Sequence, residues 1–246
     1  ALIPVLAWIG LGGDGLSSSS YGPEAAFRAL GEHTYLALAL ALATAFTVFI
    51  ISYAYSRIIE HFPTGGGGYI VATQTLGEKA GVVSGSALLV DYVLTITVSI
   101  AAAGDAIFSF FPIGFQPYKI PFEIAGIVLL IILNLRGTKE SVTFLAPIFV
   151  VFVLTHILMI GYGILSHVPD IGPLAQRLHA DYRAGLTTLG AGGMLLLFFR
   201  AFSLGGGTYT GIEAVSNGLQ ILREPRVQNG KKTMVYMAVS LAITAG

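Results

Sequence analysis

The chain has no cysteine, a single tryptophan, and charged side chains at only 11% of its 246 positions. The missing cysteine excludes disulfides and thiolate metal sites, and it leaves the redox compartment unreadable. The scarcity of charge excludes more. A soluble domain carries about 25% charged residues, because its surface must be solvated. Here 54% of the residues are hydrophobic and the mean hydropathy is +0.79, too little polarity to cover a globule. Thirteen basic residues balance thirteen acidic ones, so a nucleic-acid role has no electrostatic support. The N-terminus lacks the basic region and small-residue cleavage site of a signal peptide. A phosphate loop needs Gly-Lys-Ser/Thr, which does not occur, and no cofactor is expected.

What is present is apolar sequence in runs long enough to cross a bilayer, about 20 residues each. Span 2 is read as Tyr35–Ile59, span 3 as Ser84–Phe110, span 4 as Pro121–Leu135 and span 5 as Val142–Leu165. Span 1, Leu2–Leu30, and span 6, Leu186–Leu222, are interrupted and too long for simple helices. A seventh span starts near Thr233 and runs to Gly246, and the first residue lies inside an apolar run. The chain is therefore expected to be a fragment, spans 1–7, of a longer all-α membrane protein.

Lys/Arg bias in short loops sets orientation. With the N-terminus cytoplasmic, the inner stretches hold Arg57, Lys79, Arg136, Lys139, Arg223, Arg226, Lys231 and Lys232. The outer stretches hold Arg28, Lys119, Arg177 and Arg183, and Arg200 falls within span 6. The inner side carries the excess, which places the N-terminus inside a cell (plasma or inner) membrane.

Glycines interrupt spans 1 and 6. Gly12, Gly13 and Gly15 flank Asp14, and Gly205–Gly207 precede Thr208, Thr210, Gly211 and Glu213. Each glycine costs a helix about 1 kcal/mol relative to Ala. Non-helical backbone at membrane depth survives only where it is buried in protein or lines a cavity. Two interrupted spans at corresponding positions point to a transporter site and imply a five-helix repeat, 1–167 and then 186–246 as the start of a second copy. Close helix packing through small residues is the competing reading of each glycine run. The run Gly65–Gly68 follows Pro63 in a polar stretch and reads as a cytoplasmic loop.

At these residues a family resemblance becomes specific. Pro63-Thr-Gly-Gly-Gly-Gly-Tyr69 resembles the P-x-x-G-G-x-Y loop of amino acid–polyamine–organocation permeases, and Gly211-Ile-Glu213 resembles their G-x-E. Gly13-Asp-Gly-Leu-Ser-Ser-Ser19 with Tyr21-Gly-Pro-Glu24 is similar, more narrowly, to KUP-type and KimA-type potassium importers. The resemblance implies a LeuT-like inverted five-helix repeat with broken helices 1 and 6, working by alternating access of a rocking bundle. It also implies H⁺-coupled uptake of K⁺.

The residues carry a substrate argument of their own. In amino-acid carriers of this fold, backbone N–H groups at the span 1 break face the substrate carboxylate. Asp14 reverses that sign: two carboxylates about 4 Å apart repel by roughly 4 kcal/mol at an effective dielectric of 20, and a cation is attracted by a similar amount. On span 3, Asp91, Thr95 and Ser99 recur at every fourth position and share one helix face, with Tyr92 at its edge. Alkali cations take oxygen ligands, and the expected K⁺ set is Asp14, Tyr21, Asp91, Tyr92, Thr95, Ser99, Thr208 and Thr210. Glu213 and Glu24, each just past a break, are the candidate proton carriers, with helix capping as the competing role.

Plainer readings stand beside these. Asp91 could pair with Arg200, the hydroxyls could bond back to the preceding turn, and Tyr21 and Tyr92 could belong to an interfacial belt. Asp105 reads as an entrance or surface residue, and His156 as hydrogen-bonded packing. An amino-acid or amine permease of the same superfamily is the alternative function. An intramembrane aspartyl protease fails at Val90-Asp91 and Leu11-Gly-Gly-Asp14, where Tyr-Asp and G-x-G-D are required. A receptor or structural protein has no need of symmetric breaks. The expected partners are K⁺, H⁺ and the lipid bilayer, with a homodimer left open as the assembly.

Overall fold

A computed structural model describes residues 1–246, apart from the side chains of Thr138 and Lys139. Lys139, counted above among the inner basic residues, thus lies outside the described side chains.

Span 1 is built from α1 (Pro4–Gly10), α2 (Gly12–Ser17), a short 3₁₀ turn and α3 (Gly22–Leu30). Span 2 is α4 (Ala37–His61), followed by α5 (Gly67–Leu76) and then span 3, α6 (Glu78–Phe108). Spans 4 and 5 are α7 (Lys119–Arg136) and α8 (Thr138–His167). The segment α9 (Ile171–Thr188) precedes span 6, which comprises α10 (Gly190–Leu204), a 3₁₀ turn, α11 (Ala214–Asn217) and a second 3₁₀ turn; α12 (Arg226–Ala245) is span 7. Four segments, beginning at Thr34, Glu78, Ile113 and Glu140, are long and apolar enough to cross a bilayer as continuous helices. The architecture is all-α, with spans 1 and 6 broken.

Three local expectations change. The break in span 1 does not fall on the glycines around Asp14: Gly12–Ser17 stays α-helical, and the chain departs from helix at Ser18–Tyr21, where Tyr21 has φ −131°. The glycines serve close approach instead. A Cβ on Gly12 would sit 2.9 Å from the Trp8 ring, and one on Gly15 would sit 3.5 Å from Met237 Sδ. The Gly65–Gly68 stretch is not simply a loop. Gly65, Gly66 and Gly67 have positive φ and turn the chain directly into α5, which runs back along the start of α6. The stretch after span 5 contains α9, and α12 starts seven residues before the expected Thr233, because hydropathy windows exclude its polar first turns.

Spans 1 and 6 pack in antiparallel order. Gly22 lies on Thr208, Gly207 on Tyr21, Gly15 on Gly211, and Leu11 on Gly218. Beyond them, Leu2 N–H donates to the Ile221 carbonyl and Arg223 N–H donates to the Leu2 carbonyl, both at 2.8 Å. A core of Leu16, Val48, Ile59, Ile212, Val215, Met237 and Leu241 joins α2, α4, α11 and α12. A second, including Ala26, Leu30, Leu40, Met194 and Ala201, joins α3, α4 and α10. The closest approach to backbone is at Gly211: its φ is +84°, and a Cβ there would lie 2.5 Å from Gly15 N.

Gly211→Ala is expected to cost ~1–3 kcal/mol from backbone strain alone, with the steric conflict added. Gly206→Ala, whose Cβ meets nothing within 4 Å, serves as the control. Thermal melts followed by size-exclusion fluorescence should show Gly211→Ala losing folded protein at lower temperature, and Gly206→Ala close to wild type.

Candidate functional site

Asp14 is carried by the short helix α2 and is half-buried. Its carboxyl carbon packs against Gly211, where a Cβ would come within 2.8 Å of it. The absence of a side chain at Gly211 is what lets the span 6 backbone approach the acid. Asp14 faces a cavity of about 440 Å³ lined also by Leu11, Tyr92, Thr95, Ile96, Ala214, Asn217 and Gly218. On its other side a cavity of about 600 Å³ reaches Ser17, Asn134, Ser141 and Phe149.

The expected ligand set is divided by the structure into three groups. The first is Asp14 with Tyr92 and Thr95, which share one cavity. Thr95 is 8% exposed, and among the described residues its hydroxyl forms no hydrogen bond. Thr97, on an exposed face of the same helix, instead donates back to the Val93 carbonyl at 2.6 Å. The second group is Tyr21, Thr208 and Thr210, at the two breaks. Tyr21 Oη lies 3.5 Å from Thr210 Oγ1, which donates to the Gly207 carbonyl at 2.8 Å. Ser18 Oγ donates to the Thr208 carbonyl at 2.8 Å, so a hydroxyl from one break satisfies the exposed backbone of the other. The third group is Asp91 and Glu213, which line a separate cavity of about 280 Å³ with Tyr55, Tyr69, Ser84 and Asn217. Ser99 lines none of these cavities, and its buried Oγ has no partner among the described residues.

The plainer alternatives separate as well. Asp91 forms no ion pair with Arg200 among the described residues. Glu24, in the first turn of α3, is exposed and pairs with Arg28 at 2.6 Å, and it lines a cavity that does not include Asp14. Asp105 is ion-paired with Lys119 at the far ends of α6 and α7. A His156 ring nitrogen bonds the Phe152 carbonyl at 2.8 Å, and the ring lies against that of Phe152, a packing arrangement. Among the described residues no basic side chain lines the cavities at Asp14 or at Glu213, although Asp14, Asp91 and Glu213 are close enough to act on one another electrostatically. A cluster of acids without a basic partner is costly in a membrane interior and is suited to a cation.

Asn217 was not among the residues singled out from the sequence. Its Nδ2 donates to Tyr92 Oη at 2.7 Å, and its side chain lines both the Asp14 cavity and the Asp91–Glu213 cavity. Its buried Oδ1 has no hydrogen-bond partner among the described residues, and it points at Gly67, where a Cβ would collide with it. The Gly66 N–H donates to the Asn217 carbonyl at 3.3 Å. The glycines of the α4–α5 connection are thus what allow the chain to seat on the end of span 6. The available signal was position: Asn217 follows Glu213 by one helical turn.

An acid beside paired helix breaks, polar oxygens from span 3, and a glycine loop docked on span 6 are the features of a membrane permease. The family model for amino acid permeases matches residues 12–246, and the chain belongs to that family. Among individual proteins, the potassium transporter KimA of Bacillus subtilis (strain 168) is 38% identical over 237 residues. That alignment covers 95% of this chain and 38% of the relative, so the chain spans well under half the length of the protein it matches.

Tyr92→Phe removes the acceptor and leaves Asn217 Nδ2 buried and unpaired, at an expected cost of about 1–3 kcal/mol. Adding Asn217→Leu removes the stranded group, and the double variant should recover most of that loss. Thermal unfolding of the two single variants and the double variant measures the coupling; additive losses would show that the bond carries no energy.

Proposed function

We propose that this chain forms the ion-binding part of a K⁺ importer of the cell membrane, driven by H⁺ and working by alternating access. The carrying observation is Asp14, half-buried against Gly211 and facing a cavity shared with the unpaired hydroxyl of Thr95 and with Tyr92. The carboxylate supplies charge, and the hydroxyl and phenol supply oxygens to replace water around a partly dehydrated alkali ion. The same acid disfavours a substrate carboxylate at this position, which weighs against an amino acid. The relative's description as a potassium transporter supports the same substrate.

The division into repeats, 1–167 and a second copy beginning at 186–246, is part of the proposal and is supported by the antiparallel packing of spans 1 and 6. A cytoplasmic N-terminus is supported by the basic residues at one end of the bundle, where Arg57 and Lys231 both pair with Glu60. In that orientation Asp91 and Glu213 lie on the inner half of spans 3 and 6. Glu213, with one buried carboxylate oxygen lacking a partner, is the proposed proton carrier. Protonated, it adds no charge near the ion; ionised, it holds the ion and opposes release. Each equilibrium then alters the other by the same free energy. Glu24, exposed and paired with Arg28, takes no part in this scheme.

Asp14→Asn keeps size and removes charge, so K⁺ uptake by the full-length protein should fall at least about tenfold, the equivalent of 1.4 kcal/mol. Uptake assays with K⁺ and a panel of amino acids check it. Unchanged K⁺ uptake by the folded variant removes Asp14 from the site, and amino-acid uptake by wild type favours the amino-acid permease reading.

Coupling is tested in proteoliposomes at fixed membrane potential across an imposed pH gradient. Wild-type K⁺ uptake should respond to the gradient, and Glu213→Gln should lose the response while retaining K⁺ binding. A gradient response that survives in Glu213→Gln moves the proton carrier elsewhere, and a wild type without any response is a uniporter.

A further inference from the structure

We propose that α9 is an interfacial helix that lies in the headgroup–acyl boundary of the bilayer, on the side where α8 ends, with its apolar stripe in the lipid and its arginines on lipid phosphates. This inference is independent of the substrate and of proton coupling.

The placement starts with α8, whose most apolar stretch has no buried residue. Only the 3₁₀ turn Val168–Asp170 separates α8 from α9, so α9 begins at the height where the chain leaves the hydrocarbon. At about 100° per residue, Ile171, Leu174, Leu178, Tyr182, Leu186 and Leu189 fall within an arc of roughly 120° centred on Ile171. The arc is largely unpartnered: Ile171 is 58% exposed, Leu174 50% and Leu189 40%. Arg177 and Arg183 lie about 120° to either side of its centre. Neither arginine forms an ion pair among the described residues, and no lysine lies on the helix.

A surface helix in water would have to bury that stripe in protein, and the described residues cover only one end of it. The Tyr182 ring meets Tyr35 at 6.3 Å between centroids, and Gly185 is pressed on Tyr35 Oη, which fixes the C-terminal half of α9 on the start of α4. The N-terminal half remains open along the continuation of α8, whose most apolar stretch this chain leaves equally uncovered. An apolar arc of this width, opposed by a polar face carrying two unpaired arginines, is the pattern of a helix lying in the membrane plane. Its guanidinium groups, on long flexible stems, reach phosphates beside the helix while the stems stay in apolar surroundings. Since Leu189 alone links α9 to α10, whatever holds α9 at the surface also holds the outer half of broken span 6.

The chain contains no cysteine, so single introduced cysteines report cleanly in the full-length protein when its other cysteines, where present, are removed. Nitroxide labels at Leu174→Cys and Leu186→Cys sample the apolar arc, and labels at Gln176→Cys and Ala184→Cys sample the polar face. In phosphatidylglycerol vesicles, the ratio of collision with oxygen to collision with a water-soluble nickel chelate should be about threefold higher on the apolar arc than on the polar face. Arg177→Gln combined with Arg183→Gln should lower the ratio at Leu174 by about twofold. Equal ratios on both faces place the helix in water, and low collision with both reagents at Leu174 places it under protein; either overturns the proposal. An unchanged ratio in the double glutamine variant overturns the phosphate contact.

Discussion

The carboxyl group of Asp14 rests on the bare backbone of Gly211, and the arrangement of spans 1 and 6 depends on that contact. A side chain at position 211 would run into both the Gly15 nitrogen and the Asp14 carboxyl. Left-handed backbone geometry there also favours glycine. From this point the two interrupted spans diverge in antiparallel order, through Tyr21 and Thr208 on one side and through Leu11 and Gly218 on the other. The large apolar residues of α4 and α12 then close over the junction, with Met237 and Leu241 fully buried against Leu16 and Ile212. The fold spends its glycines where two backbones must touch.

Such closeness has an electrostatic consequence. Polar backbone freed at a break needs a partner, and Ser18 meets that need across the junction by donating to the Thr208 carbonyl. The acids are treated differently. Asp14, Asp91 and Glu213 are gathered around two cavities that no basic side chain lines among the described residues. Between those cavities stands Asn217, bonded to Tyr92 and seated on the glycine loop before α5. The partition places Asp14 in one chamber and the Asp91–Glu213 pair in the other, and the proposed separation of ion and proton binding follows from it.

Much of this was legible in the residues. Hydropathy located the four spans that are continuous helices, because crossing a bilayer demands a run of apolar side chains that no loop needs. Asp14, Tyr92 and Thr95 were named among eight candidate oxygens, since an acid in an apolar span is costly and a polar stripe at four-residue spacing gathers its oxygens on one face, and the structure brings these three to one cavity. Other readings failed for local reasons. The glycines at 12, 13 and 15 read as helix breakers, yet the helix continues through them, since tertiary contact with Met237 and the Trp8 ring outweighs their weak propensity. Glu24 lies one turn before Arg28, and that pairing at the surface takes it out of the site. Ser99 shares the stripe of Thr95 but sits beyond the cavity wall. The helix α9 escaped notice because its mean polarity resembles that of a loop, and only its periodicity marks it.

The sequence by itself determined that the chain is an all-helical membrane protein with two interrupted spans, and it determined that each of those spans carries an acid. Composition and periodicity decide such properties, because the bilayer acts on each segment separately. Which oxygens share a cavity, where span 1 leaves the helix, and that Asn217 divides Asp14 from Asp91 were decided only by tertiary structure. Those facts depend on residues some 200 positions apart meeting at Gly15 and Gly211, and spacing along one helix holds no information about its partner across the junction.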